Sequence, residues 1–243
     1  MARLNLFKNY GSEFLSDLLY DIEMNSRTND KKPVTAYKPS MLKCQRECFF
    51  AFKGFEKEAG SFDYQGIGIM ESGTDRHKRL QDILLQSKTI KYIDVADFIK
   101  NNQLGYLEIV GNFGNETLLY DKRYNMRFMT DGLVEYKNKV FILEIKTESM
   151  MKFDKHDEVW AEHLNQASCY SMAFGINDIL FLYENRDTLA KKVIHLKVTH
   201  EMRQGVIDFI NSCNIHVNDN SLPPKAEGGH CRWCEYRKAC RGI

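Results

Sequence analysis

Residues 131–147 read DGLVEYKNKVFILEIKT, and no other run constrains the fold of this chain as tightly. Apolar residues alternate on either side of Lys137-Asn138, the pattern of two β-strands joined by a tight turn. In the second strand Phe141, Leu143 and Ile145 leave one face, and Ile142, Glu144 and Lys146 leave the other. Charge inside an apolar strand needs a reason, because an unpaired buried charge is expensive. A two-residue turn pairs 136 with 139 and continues down to 131 with 144. That sets Asp131 across from Glu144, with Cβ atoms roughly 4.5–5.5 Å apart. Two carboxylates at that spacing repel by about 3 kcal/mol at an effective dielectric of 20. A shared proton, a cation, or Lys146 together with a metal would offset this. Hard Mg²⁺ or Mn²⁺ favours such oxygen ligands, and Lys146 is placed to activate water or neutralise charge on a phosphorane. A salt-bridged face on a half-exposed strand is the plain alternative for so short a pattern.

Other segments carry compatible chemistry. Gly73-Thr-Asp-Arg-His77 leads into a helix behind a Thr74 or Asp75 cap, with Leu80, Ile83 and Leu84 as its apolar stripe. His77 lies three residues before Leu80 and so projects from the inward side, as a core histidine or a metal ligand. Glu116 and Glu108 both open strand-like runs, and either is a candidate extra acid. In His163-Leu-Asn-Gln166-Ala-Ser-Cys-Tyr170, spacings of three and four put His163, Gln166 and Tyr170 on one helix face. The C-terminus holds Cys231, Cys234 and Cys240, three thiols that need a fourth ligand to close a tetrahedral site. Cys44, Cys48 and His230 are the candidates, whereas Cys169 and Cys213 read as buried thiols.

Taken in order, these pieces resemble the PD-(D/E)xK nuclease superfamily, in the branch of RecB-like, Cas4-like and AddB-like nucleases. The resemblance runs from about residue 38 to 241: Ser40-Met-Leu-Lys-Cys44-Gln-Arg46, the GxxxH element ending at His77, Asp131 with Glu144-x-Lys146, the QxxxY pair Gln166 and Tyr170, and three terminal cysteines. It departs from the motif at Thr130, where the name-giving proline stands. The resemblance implies an α/β fold with a restriction-endonuclease-like core, a mixed central sheet flanked by helices. It implies Mg²⁺ or Mn²⁺ on His77, Asp131 and Glu144, catalysis by Lys146 with Asp131 and Glu144, and substrate orientation by Gln166 and Tyr170. It also implies a [4Fe–4S] cluster on Cys44, Cys231, Cys234 and Cys240. Zinc on Cys44, Cys48, Cys231 and Cys234 is the alternative. The implied activity is a DNA exonuclease acting on single strands or ends in recombination, repair or replication, beside a helicase or recombination protein. Two rivals stand beside it: a catalytically weak DNA-binding or assembly subunit, and a zinc-binding interaction protein.

The rest of the chain sets bounds. Leu6, Phe7, Tyr10, Phe14, Leu18 and Ile22 predict an amphipathic helical arm over 1–30, followed by a core over 31–222 and a cluster-binding segment over 223–243 that packs on the Cys44 region. Helices are expected over 39–54, 158–174 and 200–213, a meander of strands over 106–147, and a strand pair over 178–199. The 34 basic and 33 acidic residues leave a net charge of +1, which excludes a uniformly basic DNA-coating protein but not local basic patches. Lys225, Arg232, Trp233, Tyr236 and Arg237 form one such stretch, suited either to a single-stranded path or to packing around the cysteines. No apolar run reaches the ~20 residues of a membrane span and the start lacks a signal-peptide core, so the expected location is cytoplasmic and soluble.

Overall fold

The computed structural model describes residues 10–26, 34–58, 64–226 and 228–242. In chain order the elements are α1 (Tyr10–Ser26), a 3-10 turn (Pro39–Met41), α2 (Gln45–Phe52), α3 (Tyr64–Leu85), β1 (Lys91–Ile93) and α4 (Val95–Asn101). Then come β2 (Leu107–Phe113), β3 (Glu116–Asp121), β4 (Met126–Thr130), β5 (Gly132–Tyr136), β6 (Lys139–Glu148), α5 (Met150–Phe153) and α6 (Ala161–Phe174). The chain closes with β7 (Asp178–Asn185), β8 (Lys191–Lys197), α7 (His200–Asn218), a second 3-10 turn (Gly229–Trp233) and α8 (Arg237–Arg241). The part of the expected arm that carries Leu6 and Phe7 lies outside the described residues.

The fold is α/β, built on a mixed five-stranded sheet ordered β1-β5-β6-β7-β8. Its centre is the hairpin read from the sequence: Lys137 and Asn138 both take positive φ, 51° and 62°, and the register runs from Tyr136↔Lys139 to Gly132↔Leu143. The strand β7 joins β6 in parallel after a crossover through α5 and α6, and all other pairings are antiparallel. Helices cover both faces, which is why β6 is buried on both sides rather than alternating. Phe141, Leu143 and Ile145 pack with Leu80 of α3 and Val134, while Ile142 joins the larger core with Phe181, Tyr183, Ala167 of α6 and Val206 of α7. Among the described residues no helix is long and apolar enough to cross a membrane.

Three expectations need correction. The meander over 106–147 is two sheets, because β2, β3 and β4 form their own three-stranded sheet. The chain passes from one sheet to the other at Asp131, where a side chain on the next residue is excluded: a Cβ at Gly132 would stand 2.4 Å from the Tyr92 hydroxyl. The helix expected behind a Thr74 or Asp75 cap begins earlier and takes in Gly66, Gly68 and Gly73, since α3 starts at Tyr64 and runs 22 residues with Ile67 buried. A mid-helix glycine costs about 1 kcal/mol against alanine, and at Gly73 α3 faces Thr147 of β6, where an added Cβ would make only ordinary contact at 3.6 Å. The helix expected over 39–54 is broken by a turn at Leu42-Lys43, leaving Pro39–Met41 separate from α2.

Candidate active site

Asp131 is held from several sides at the sheet junction. Its Oδ2 accepts the Ile145 amide at 2.6 Å, and its Oδ1 lies 3.1 Å from His77 Nδ1. Its carbonyl accepts the Gln81 amide at 2.9 Å and the Tyr92 hydroxyl at 2.6 Å. Gln81 comes from the inner side of α3, one turn beyond His77, and Tyr92 from the short edge strand β1. Neither was marked by the sequence, because one buried amide and one tyrosine outside any motif carry no signal.

Glu116 completes this side. Ligand atoms of His77, Glu116 and Asp131 all lie within 4.8 Å of one another. Burial raises the pKa of Glu116, and the Asp131 charge adds to it. Glu108 is exposed and paired with Lys122 at 3.3 Å, so Glu116 is the acid that reaches the site. For His77, burial acts to lower the pKa, but the Asp131 hydrogen bond and charge outweigh it and the net shift is upward.

Glu144 and Lys146 leave β6 beside this group. Glu144 is 3% exposed, and burial pushes its carboxyl up to about 7 against the pull of Lys146. Its Oε1 accepts Lys146 Nζ at 2.6 Å, while its buried Oε2 has no hydrogen-bond partner. Burial acts to lower the Lys146 pKa, and the Glu144 carboxylate overrides it, so the lysine stays protonated. Lys146 also donates to Gln166 Oε1 at 3.1 Å, and Gln166 donates to the Tyr170 hydroxyl at 2.6 Å. Tyr170 is 3% exposed and accepts the Gln166 amide, which links it to the site. It therefore sets the Gln166 amide, whose oxygen faces the lysine. His163 sits one turn before Gln166, kept neutral because burial and Lys146 push it down to about 4.

The balance of charge is the informative quantity. Glu116, Asp131 and Glu144 face one ammonium, and an orphaned buried carboxylate oxygen costs about 1–3 kcal/mol or more. Hard oxygens with one imidazole form a donor set for a divalent cation. His77, Glu116 and Asp131 fit such an ion, with the unsatisfied Glu144 oxygen nearby.

A second group of candidate ligands lies at the start of α2, where Cys44 is the N-cap. Cys231 raises the pKa of Cys44, and Cys44 and Cys231 raise that of Cys234, although burial is the larger cause for both. Arg46 donates to Cys240 Sγ at 3.6 Å and to the Pro223 carbonyl at 2.7 Å, which ties α2 to the C-terminal segment. Cys48 points elsewhere: its thiol contacts Cys213 of α7 and the Met41 carbonyl. Among the described residues no three of these sulfurs lie within 4.8 Å of one another. Tyr236 is buried and packs on Phe50 with ring centroids 6.0 Å apart, so this aromatic belongs to the core and not to a strand-binding path.

No family model matches the sequence, and no curated protein matches it. Among solved structures, the chain is similar to SSO0001, at 14% identity and a TM-score of 0.48 over 96% of this chain and 98% of that one. It is also similar to the alkaline exonuclease LHK-Exo from Laribacter hongkongensis, at 13% identity and a TM-score of 0.45 over 86% of this chain and 95% of that one. The same exonuclease in complex with dAMP matches over the same shares, at 10% identity and a TM-score of 0.45.

Proposed function

We propose that this chain is a metal-dependent nuclease that hydrolyses DNA phosphodiester bonds, acting as an exonuclease on single strands or ends. One observation carries the reading: His77, Glu116 and Asp131 converge within 4.8 Å beside a buried Glu144 whose second oxygen is unsatisfied. Bound there, Mg²⁺ or Mn²⁺ supplies Lewis acidity and lowers the pKa of water. The chain's own residues do the rest. Lys146, held charged by Glu144, stabilises negative charge that grows on the phosphoryl oxygens. Gln166 accepts from Lys146 and fixes its rotamer, and Tyr170 fixes Gln166. His77 and the Ile145 amide hold the two oxygens of Asp131, which fixes the orientation of the carboxylate.

At the other end, Cys44, Cys231, Cys234 and Cys240 are proposed to hold a structural [4Fe–4S] cluster that fastens α2 to the C-terminus. Sulfurs around one zinc ion stand about 3.8 Å apart, from a tetrahedron of 2.3 Å bonds. No three of the described sulfurs lie within 4.8 Å of one another, which leaves room for the larger group. An acting place in recombination, repair or replication, beside a helicase or recombination protein, belongs to the same proposal. A second reading, a weakly catalytic assembly subunit, draws on α1, where Phe14, Leu15, Leu18 and Tyr20 are all exposed.

The test is incubation of end-labelled single- and double-stranded DNA with Mg²⁺ or Mn²⁺. The wild type is expected to shorten the strands, and Lys146→Ala to lose on the order of 10²-fold or more in rate. Equal rates for the two proteins would remove Lys146 from the reaction.

A further inference from the structure

The three-stranded sheet carries more than Glu116. In the β2–β3 hairpin, Phe113 pairs directly with Glu116 across the strands. Directly opposed residues leave the same face, with Cβ atoms roughly 4.5–5.5 Å apart. Phe113 therefore rises on the face that presents Glu116 to His77 and Asp131. It is 61% exposed and belongs to neither hydrophobic core. Its ring lies over Gly111, where an added Cβ would stand 3.3 Å from the ring edge. The ring edge thus passes beside a glycine, and most of the ring surface is open to solvent. Next on the same face come Leu118 and Met129, which pair with each other, and Met129 is 41% exposed.

The hairpin is also anchored. Its turn is Gly114-Asn115, and the Asn115 amide donates to Asp82 of α3 at 2.8 Å. Asp82 lies five residues beyond His77 on the same helix. An exposed aromatic on a flexible loop would be unremarkable, since scattered surface apolars are normal. Here the ring sits on a strand, is braced to the helix that carries His77, and stands one cross-strand step from a carboxylate of the site.

We propose that Phe113 is a stacking platform for a nucleobase of a single-stranded substrate, positioning the phosphate next to that base at the His77–Glu116–Asp131 group. The proposal rests on the nuclease reading and adds the substrate form and the residue that grips it. Base stacking on an aromatic is tolerant of sequence, so the platform holds a strand without choosing a base. Duplex DNA keeps its bases stacked on one another and offers no free face to the ring.

The test compares two single-stranded oligonucleotides, one intact and one with abasic sites near its end, both bound in the presence of Mg²⁺. Lys146→Ala is the common background, which keeps the strands uncleaved. Phe113→Ala is expected to weaken binding of the intact strand by about 5- to 150-fold, the range for losing one stacked base. It should leave binding of the abasic strand nearly unchanged, and Phe113→Trp should restore the intact strand. Because Phe113 is exposed, the melting temperature of each variant should match its parent. Equal losses on both strands, no loss on either, or failure of tryptophan to rescue would overturn the platform. The nuclease reading fails separately, if Phe113-intact wild type neither binds nor cleaves any strand.

Discussion

Glu116→Gln is the sharpest perturbation of the site, because it removes one charge and almost no volume. Glu116 and Asp131 offer oxygens within 4.8 Å of each other. At an effective dielectric of 20 that separation gives a repulsion of about 3.5 kcal/mol when both are ionised. Glu116 is only half-buried and the His77 imidazole acts on it in the opposite sense, so solvent and the imidazole reduce the net cost to about 1–2 kcal/mol. In EDTA the variant should therefore be more stable than wild type by that amount. For a chain of this length that is a rise in melting temperature of about 2–8 °C. Divalent metal should reverse the order. At a hundred times its dissociation constant, an ion stabilises wild type by about 2.7 kcal/mol, and the variant, lacking one ligand, should gain little. Thermal unfolding with EDTA and with Mn²⁺ measures both effects on one sample. If Glu116→Gln melts at or below wild type in EDTA and keeps the full Mn²⁺ shift, the proposed cation site on His77, Glu116 and Asp131 is refuted.

Further outcomes follow from the same structure. The Glu144 carboxyl is pushed up to about 7 in the fold, from the ordinary 4.5. Between those pH values the native state keeps a proton that the unfolded chain has lost, so stability of the metal-free protein should fall as pH rises through the window. Urea titrations from pH 4.5 to 7.5 should show that slope in wild type and a flatter one in Glu144→Gln. Gly132→Ala should drive a methyl into Tyr92 and cost about 1–3 kcal/mol, read as a lower urea midpoint; an unchanged midpoint would mean Tyr92 is not fixed there. Cys44→Ser should abolish brown colour and absorption near 400 nm, while Cys48→Ser, whose thiol faces Cys213, should keep both. Colour lost equally in the two variants would remove the distinction between them.

How much of this was legible beforehand depended on how local the signal was. The β5–β6 register was readable because a two-residue turn at Lys137-Asn138 leaves one pairing, and a one-residue slip would send Phe141, Leu143 and Ile145 to the wrong face. The strand pair β7–β8 and the body of α6 were readable from period alone. The choice between Glu108 and Glu116 was not, because it depends on where a hairpin tip lands on α3, a contact between residues more than thirty apart. The split of the strands into two sheets was equally hidden. It turns on Gly132 meeting Tyr92, and β1, which carries Tyr92, is three residues long and gives no periodicity. The glycines of α3 pointed the wrong way, since helix-breaking propensity was outweighed by the packing of a long helix on β6.

The position of Asp131 between the two sheets has a consequence for when this chain can act. The groups that would grip a cation come from α3, from the first strand past the β2–β3 turn, from the junction itself and from the middle of β6. No single hairpin or helix carries enough of them to hold an ion. On the proposed reading, a nascent or half-unfolded chain could not hold the ion, and cleavage would wait until both sheets and α3 are in place. The fold itself would then serve as the safety catch of the proposed nuclease.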